Sequence, residues 1–175
     1  AFLTGTGQEK NKENLARTMI GVHNLFRDTP VQAADLEALG GKAAPLTQIA
    51  KMSPEEILAA FSVLKEVGPA APAATALASL ATQLASGSKN VEVQKALADM
   101  GLKPGDVDFI GESFTDVLGR LQGGFSRLPA ELRGGVAKQL MGKENVDELF
   151  VLLAGQEKIR QRTGIMGDTG SYAAA

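Results

Sequence analysis

The chain has 175 residues, enough for one ordinary domain burying about two-thirds of its extended-chain surface. Its 18 basic residues are scattered among 20 acidic ones, for a net charge of −2, which argues against the one-sided basic footprint of a DNA or RNA binder. Cysteine is absent and His23 is the single histidine, so the composition offers no disulfide framework, thiolate metal site or multi-histidine site, and no cofactor is implied.

Much of the 44% hydrophobic share is alanine and aromatics make up only 5%, a balance that favours close-packed helices over a β-sandwich. The chain opens on "AFLTGTGQEK", with neither an initiating Met nor a basic-then-apolar signal pattern, and reads as a piece of something longer. Residues 1–7 are expected to form a disordered or linker start, residues 8–163 a single helical domain, and residues 164–175 a flexible tail.

Along residues 8–27, Leu15, Met19, Val22, Leu25 and Phe26 follow helical spacing behind charged Lys10, Lys12, Glu13 and Arg17. In "DTPVQAADLEALGG", Thr29 suits a cap, Pro30 the first turn and Gly40 the stop, predicting a helix of about three turns. "AAPLTQIAKM" repeats the scheme on a smaller scale. "SPEEILAAFSVLKEVG" then supplies Ser53 as cap, Pro54 in the first turn and Glu56 as the capping-box partner, with Gly68 closing the helix.

"AATALASLATQLAS" sets Leu77, Leu80 and Leu84 on one stripe and carries no charge. The uncharged interval 67–88 is long enough to touch a membrane transiently, but its prolines, serines and threonines favour a helix buried between others. The helix over 89–100 has apolar Val91, Val93, Leu97 and Met100, and is expected to lay that side on the alanine-rich helix. "LKPGDVDFIG" reads as a connector holding one short turn. Helices are predicted over 113–128, 129–141 and 146–162, interrupted or bounded by Gly123-Gly124, Gly134-Gly135, Gly142 and Gly155. No segment alternates long enough for a strand, so the fold class is all-α, a compact bundle of seven to nine mostly short helices.

Strings that invite an enzyme reading each lack a necessary part. Asp168-Thr169-Gly170 occurs once, whereas aspartic-protease chemistry needs two aspartates sharing a proton in a β-rich cleft. "GESFT" and "GFSRL" lack the closing glycine and preceding strand of a nucleophile elbow, so Ser113 reads as a cap and Ser126 as a polar helix position. His23 is better read as a partly buried structural histidine than as the base of a triad. Lys42 and Lys143 follow glycines without the hydroxyl residue of a phosphate loop. Glu55/Glu56 and Asp106/Asp108 are carboxylate pairs, but helix starts account for most such groups. No residue is singled out as catalytic, cofactor-binding or metal-ligating.

The order of elements in "SPEEILAAFSVLKEVGPAAPAATALASLATQLASGSKNVEVQKALADMGL" resembles the core region of phage tail tape-measure proteins. The shared order is a Gly-ended helix, a short spacer, a Thr/Ala/Leu-rich helix and a polar helix closing on Gly-Leu. "FTDVLGRLQGGFSRLPAELRGGVAKQLMGKENVDELFVLLAG" is similar to the continuation, with Leu140-Met141-Gly142 where that family has a Leu-aromatic-Gly signature. The resemblance covers about residues 53–164. It implies a virion structural protein in the tail-tube lumen, present in several copies, made in the host cytoplasm, fixing tail length, contacting tube and tip proteins and leaving ahead of the DNA. The competing classes are a tail-associated or host-side helical lytic enzyme domain and a generic helical interaction scaffold. As one straight helix the chain would span about 260 Å, but Gly and Pro recur too often for a rod, and a folded module of about 16 Å radius of gyration is expected instead.

Overall fold

The computed structural model describes residues 16, 19–20, 22–23, 26–87, 89–109 and 112–167, with side chains described as far as 165. Among them every regular element is helical. The helices are α1 (Asp35–Gly40), α2 (Ala43–Gln48), α3 (Pro54–Lys65), α4 (Ala70–Ala85), α5 (Val91–Asp99), α6 (Phe114–Arg127), α7 (Ala130–Met141), α8 (Val146–Ala154) and α9 (Gln156–Gly167). Tight 3-10 turns at Pro104–Val107 and Lys143–Asn145 join α5 to α6 and α7 to α8. Of the helix expected over 8–27, the described positions are helical; the others, residues 1–7 and residues 168–175 lie outside the described residues.

Side-chain caps set three of the starts, those of α3, α5 and α6. Ser53 and Glu56 form a complete capping box on α3: Glu56 N–H donates to Ser53 Oγ at 3.2 Å, and Ser53 N–H to Glu56 Oε2 at 2.9 Å. Asn90 accepts from Glu92 N–H and Val93 N–H at the start of α5, and Ser113 accepts from Asp116 N–H at the start of α6. α5 ends in a Schellman arrangement. Gly101 takes φ +71°, Leu102 N–H reaches Leu97 C=O at 2.8 Å, and Gly101 N–H reaches Ala98 C=O at 2.9 Å.

The expected three-turn helix from Thr29 is shorter and later. Thr29 accepts from Val31 N–H, and α1 begins at Asp35, whose carboxylate reaches back to Gln32 N–H at 2.9 Å. Val31 is buried in a non-helical stretch, and the helix begins after it.

α4 is the hub. It packs against α1, α2, α3, α7 and α8, burying Ala73, Ala74, Ala76, Leu77, Ala78, Leu80, Ala81 and Leu84 and leaving Thr75 and Thr82 exposed. Alanine suits this position because its single methyl lets several helices approach one axis closely. The absence of charge follows from burial, and among the described residues no helix is long and apolar enough to cross a membrane.

The expected seat of α5 is not the one found. Its apolar side, Val93, Ala96 and Leu97, lies chiefly on α7, because α4 is already surrounded by other helices; Val91, expected on that side, is 73% exposed. Phe109 and Phe114 stack with ring centroids 6.3 Å apart, and Phe125 meets Phe150 edge-on at 5.5 Å, tying α6 to the preceding connector and to α8.

Glycine has two different jobs here. Gly123, Gly124, Gly134 and Gly135 lie inside α6 and α7 and interrupt neither. At Gly124 a Cβ would lie 2.9 Å from Met100 Cβ, and at Gly155 one would lie 2.5 Å from Val63 Cγ1, so these two are points of close approach between elements. Gly155 does bend the helix expected over 146–162 into α8 and α9, and α9 continues through Gly164 to Gly167, beyond the expected start of the tail.

Candidate interaction surfaces

One member of each carboxylate pair, Glu56 and Asp106, is committed to backbone groups. Glu56 spends both oxygens, accepting from Ser53 N–H through Oε2 and from Phe114 N–H through Oε1 at 3.0 Å, so one side chain caps α3 and fastens the first residue of α6 to it. Asp106 accepts from Lys103 N–H at 2.7 Å. Asp108 is exposed, as are Lys42 and Lys143.

Neither serine of the elbow-like strings faces a base. Ser113 caps α6, and Ser126 donates to Gln122 C=O at 2.8 Å on an exposed helix face. His23, expected to be partly buried, is exposed; among the described residues of that segment, Val22 and Phe26 pack against the core. Asp168-Thr169-Gly170 lies outside the described residues. No group of three or more His, Cys, Asp or Glu that could hold a metal occurs among the described residues.

Shallow grooves of about 300 to 400 Å³ line the surface. One, between α6 and α9, includes Arg120, Arg127 and Arg160 with Asp116. Its cations already hold partners: Arg120 donates to Asp106 C=O at 2.8 Å and to the Glu112 carboxylate, and Arg160 pairs with Glu157 at 2.8 Å. Another, between α5 and α7, includes Leu132 and Gly135 beside Gln139, whose Oε1 is buried without a partner; Leu132 is 52% exposed. A third, under Val67, Pro69 and Pro72, is rimmed by Asp147 and Glu148 at the start of α8, where the helix dipole favours their charge. None combines an enclosed apolar cavity with convergent reactive groups.

One polar network is structural and joins residues almost a hundred positions apart. Glu66, just past α3, accepts from Lys158 Nζ at 2.7 Å and from Arg162, and Arg162 also donates to the buried Ser62 hydroxyl at 2.8 Å. Burial pushes the Glu66 carboxyl up, but the hydrogen bonds from Lys158 and Arg162 outweigh it and hold the group below its ordinary 4.5. Sequence reasoning missed this network. The Lys158/Arg162 spacing of four residues on one helix face was the available signal, and nothing in the sequence names its distant partner.

The molecule is thus a packed helical body whose polar groups serve caps and helix docking. No curated protein and no solved structure matches the chain. The sequence profile of the phage-related minor tail proteins matches residues 4–142, or 139 of the 175 residues, from the amino-terminal segment to the end of α7. The chain belongs to the phage-related minor tail protein family, with a structural role in the phage tail.

Proposed function

We propose that the chain is the core region of a tape-measure protein, a folded module within a longer ruler that occupies the tail-tube lumen in several copies. In this reading it contacts tube and tail-tip proteins, sets tail length during assembly and leaves ahead of the DNA, without enzymatic activity. The observation that carries the reading is the order of elements over residues 53–164: capped helix, neutral alanine-rich hub, polar helix closing on Gly101-Leu102, then the run to Leu140-Met141-Gly142. Membership in a tail protein family supports it, and so does a charged network that docks one helix on another.

An in-frame deletion of residues 53–164 from the parent gene, with tails measured by electron microscopy, tests the proposal. Tails are expected to shorten by between about 35 Å, the diameter of the segment as a compact module, and about 170 Å, the same segment drawn out as helix. Tails of unchanged length overturn the tape-measure reading. A peptidoglycan zymogram of the purified chain is expected to stay uncleared, and clearing would favour the lytic-domain reading.

A further inference from the structure

Helix α7 is covered on one side only. It packs on α4, α5 and α8 and buries Val136, Ala137, Leu140 and Met141, while Glu131, Leu132, Gly134, Gly135 and Lys138 are exposed. Glu131, Gly134, Gly135 and Lys138 recur at helical spacing and so form one stripe along the helix. Leu132, 52% exposed, borders the stripe on the side of the groove shared with α5. No neighbouring element comes within 4 Å of the place where a Cβ would stand at Gly134 or Gly135.

Within one copy these residues have no use. Two adjacent glycines weaken a helix relative to alanine, and no packing inside the chain requires either of them. Glu131 and Lys138, two turns apart, make no ion pair or side-chain hydrogen bond with the described residues. Arg133, the remaining charge of α7, lies off the stripe and donates to Leu128 C=O at 3.1 Å. The stripe therefore offers one acid, one base and a stretch of bare backbone between them.

That surface is complementary to itself. Glu131 and Lys138 lie equally far along the chain from the bond joining Gly134 to Gly135. A two-fold axis through that point sets a second α7 antiparallel to the first, so that Glu131 of each copy faces Lys138 of the other. The glycines then meet at the centre, where the missing Cβ atoms let the two backbones come close, and Leu132 is covered at the border. A parallel pair would instead set Glu131 on Glu131 and Lys138 on Lys138, so the charges select the antiparallel one. We propose that two copies of this chain pair through α7 in that arrangement. Its biological setting rests on the several-copy part of the tape-measure reading, but the pairing is measured on the purified chain, so its failure leaves tail length as a separate question.

The test uses the full 175-residue chain, with mass measured by light scattering from micromolar to millimolar concentration and far-UV circular dichroism to verify folding. The wild-type chain is expected to show a concentration-dependent rise of its 18.2 kDa mass toward twice that value, reduced at high salt. Glu131→Lys alone and Lys138→Glu alone each set like charges opposite one another, and each is expected to dimerise about tenfold more weakly or worse. An equimolar mixture of these two variants is expected to recover the wild-type affinity as a heterodimer, because every lysine then meets a glutamate. Both exchanges in one chain restore the homodimer for the same reason. Gly134→Gln with Gly135→Gln is expected to melt higher than wild type at micromolar concentration yet to lose the dimer, which separates close approach from loss of fold. A wild-type chain that stays monomeric throughout overturns the proposal, as does a dimer that these variants leave unchanged or that mixing the single variants fails to recover.

Discussion

Replacing Gly155 with alanine tests how closely α3 and the α8–α9 bend are packed. The new methyl would sit 2.5 Å from Val63 Cγ1 and 3.0 Å from the Val151 carbonyl oxygen. Neither neighbour yields easily, because Val63 is a β-branched side chain held to one rotamer in a helix, only 4% exposed, and Val151 C=O belongs to the backbone of α8. Overpacking of this kind costs about 1–3 kcal/mol. The gain from replacing glycine in a helical position offsets up to about 1 kcal/mol, and φ −90° suits alanine without strain. The net expectation is a loss of about 1–2 kcal/mol, a fall in melting temperature of roughly 2–8 °C for a chain of this size.

Urea denaturation of wild type, Gly155→Ala, Val63→Ala and the double variant completes a thermodynamic cycle. The double variant is expected to be more stable than the sum of the single effects by about 1 kcal/mol or more, since the alanine methyl occupies space vacated by Cγ1. A Gly155→Ala chain as stable as wild type, or a strictly additive double variant, would refute the close approach.

Gly134 and Gly135 make the opposite case: both are exposed inside α7 with open space where a Cβ would stand, so alanine at either is expected to stabilise the chain by about 0.5–1 kcal/mol, read as a higher melting temperature. Glu56→Ala removes the acceptor shared by Ser53 N–H and Phe114 N–H, and a loss of about 2 kcal/mol in urea denaturation is expected. Glu66 is held below its ordinary 4.5, so its contribution is complete above that pH and disappears as the pH falls through the depressed value. Because the pair is partly exposed, the effect is at most about 1 kcal/mol. The protection factors of the α9 amides, with the intrinsic pH dependence of exchange divided out, are expected to fall on acidification in the wild type and to lose that dependence in Glu66→Gln.

The helical class, the starts at Ser53, Asn90 and Ser113 and the end at Gly101 follow from neighbouring residues, because a cap joins a side chain to a backbone group two or three positions away. The neutral stretch 70–85 likewise announces burial, since a helix without charge has no face suited to water. What surrounds it was decided by tertiary packing: five other helices covered α4, and α5 went to α7 instead. The same holds for glycine. Local propensity cannot distinguish Gly134, which meets nothing, from Gly155, whose missing methyl makes room for Val63 from a helix 92 positions earlier. Glu56 and Glu66 both read as ordinary helix-end acids, yet one fastens α6 and the other seats α9. The sequence by itself determined the helical class and the capped helix ends, because those interactions are local. Which helices touch depends on shapes and charges that meet only after the chain has folded back on itself.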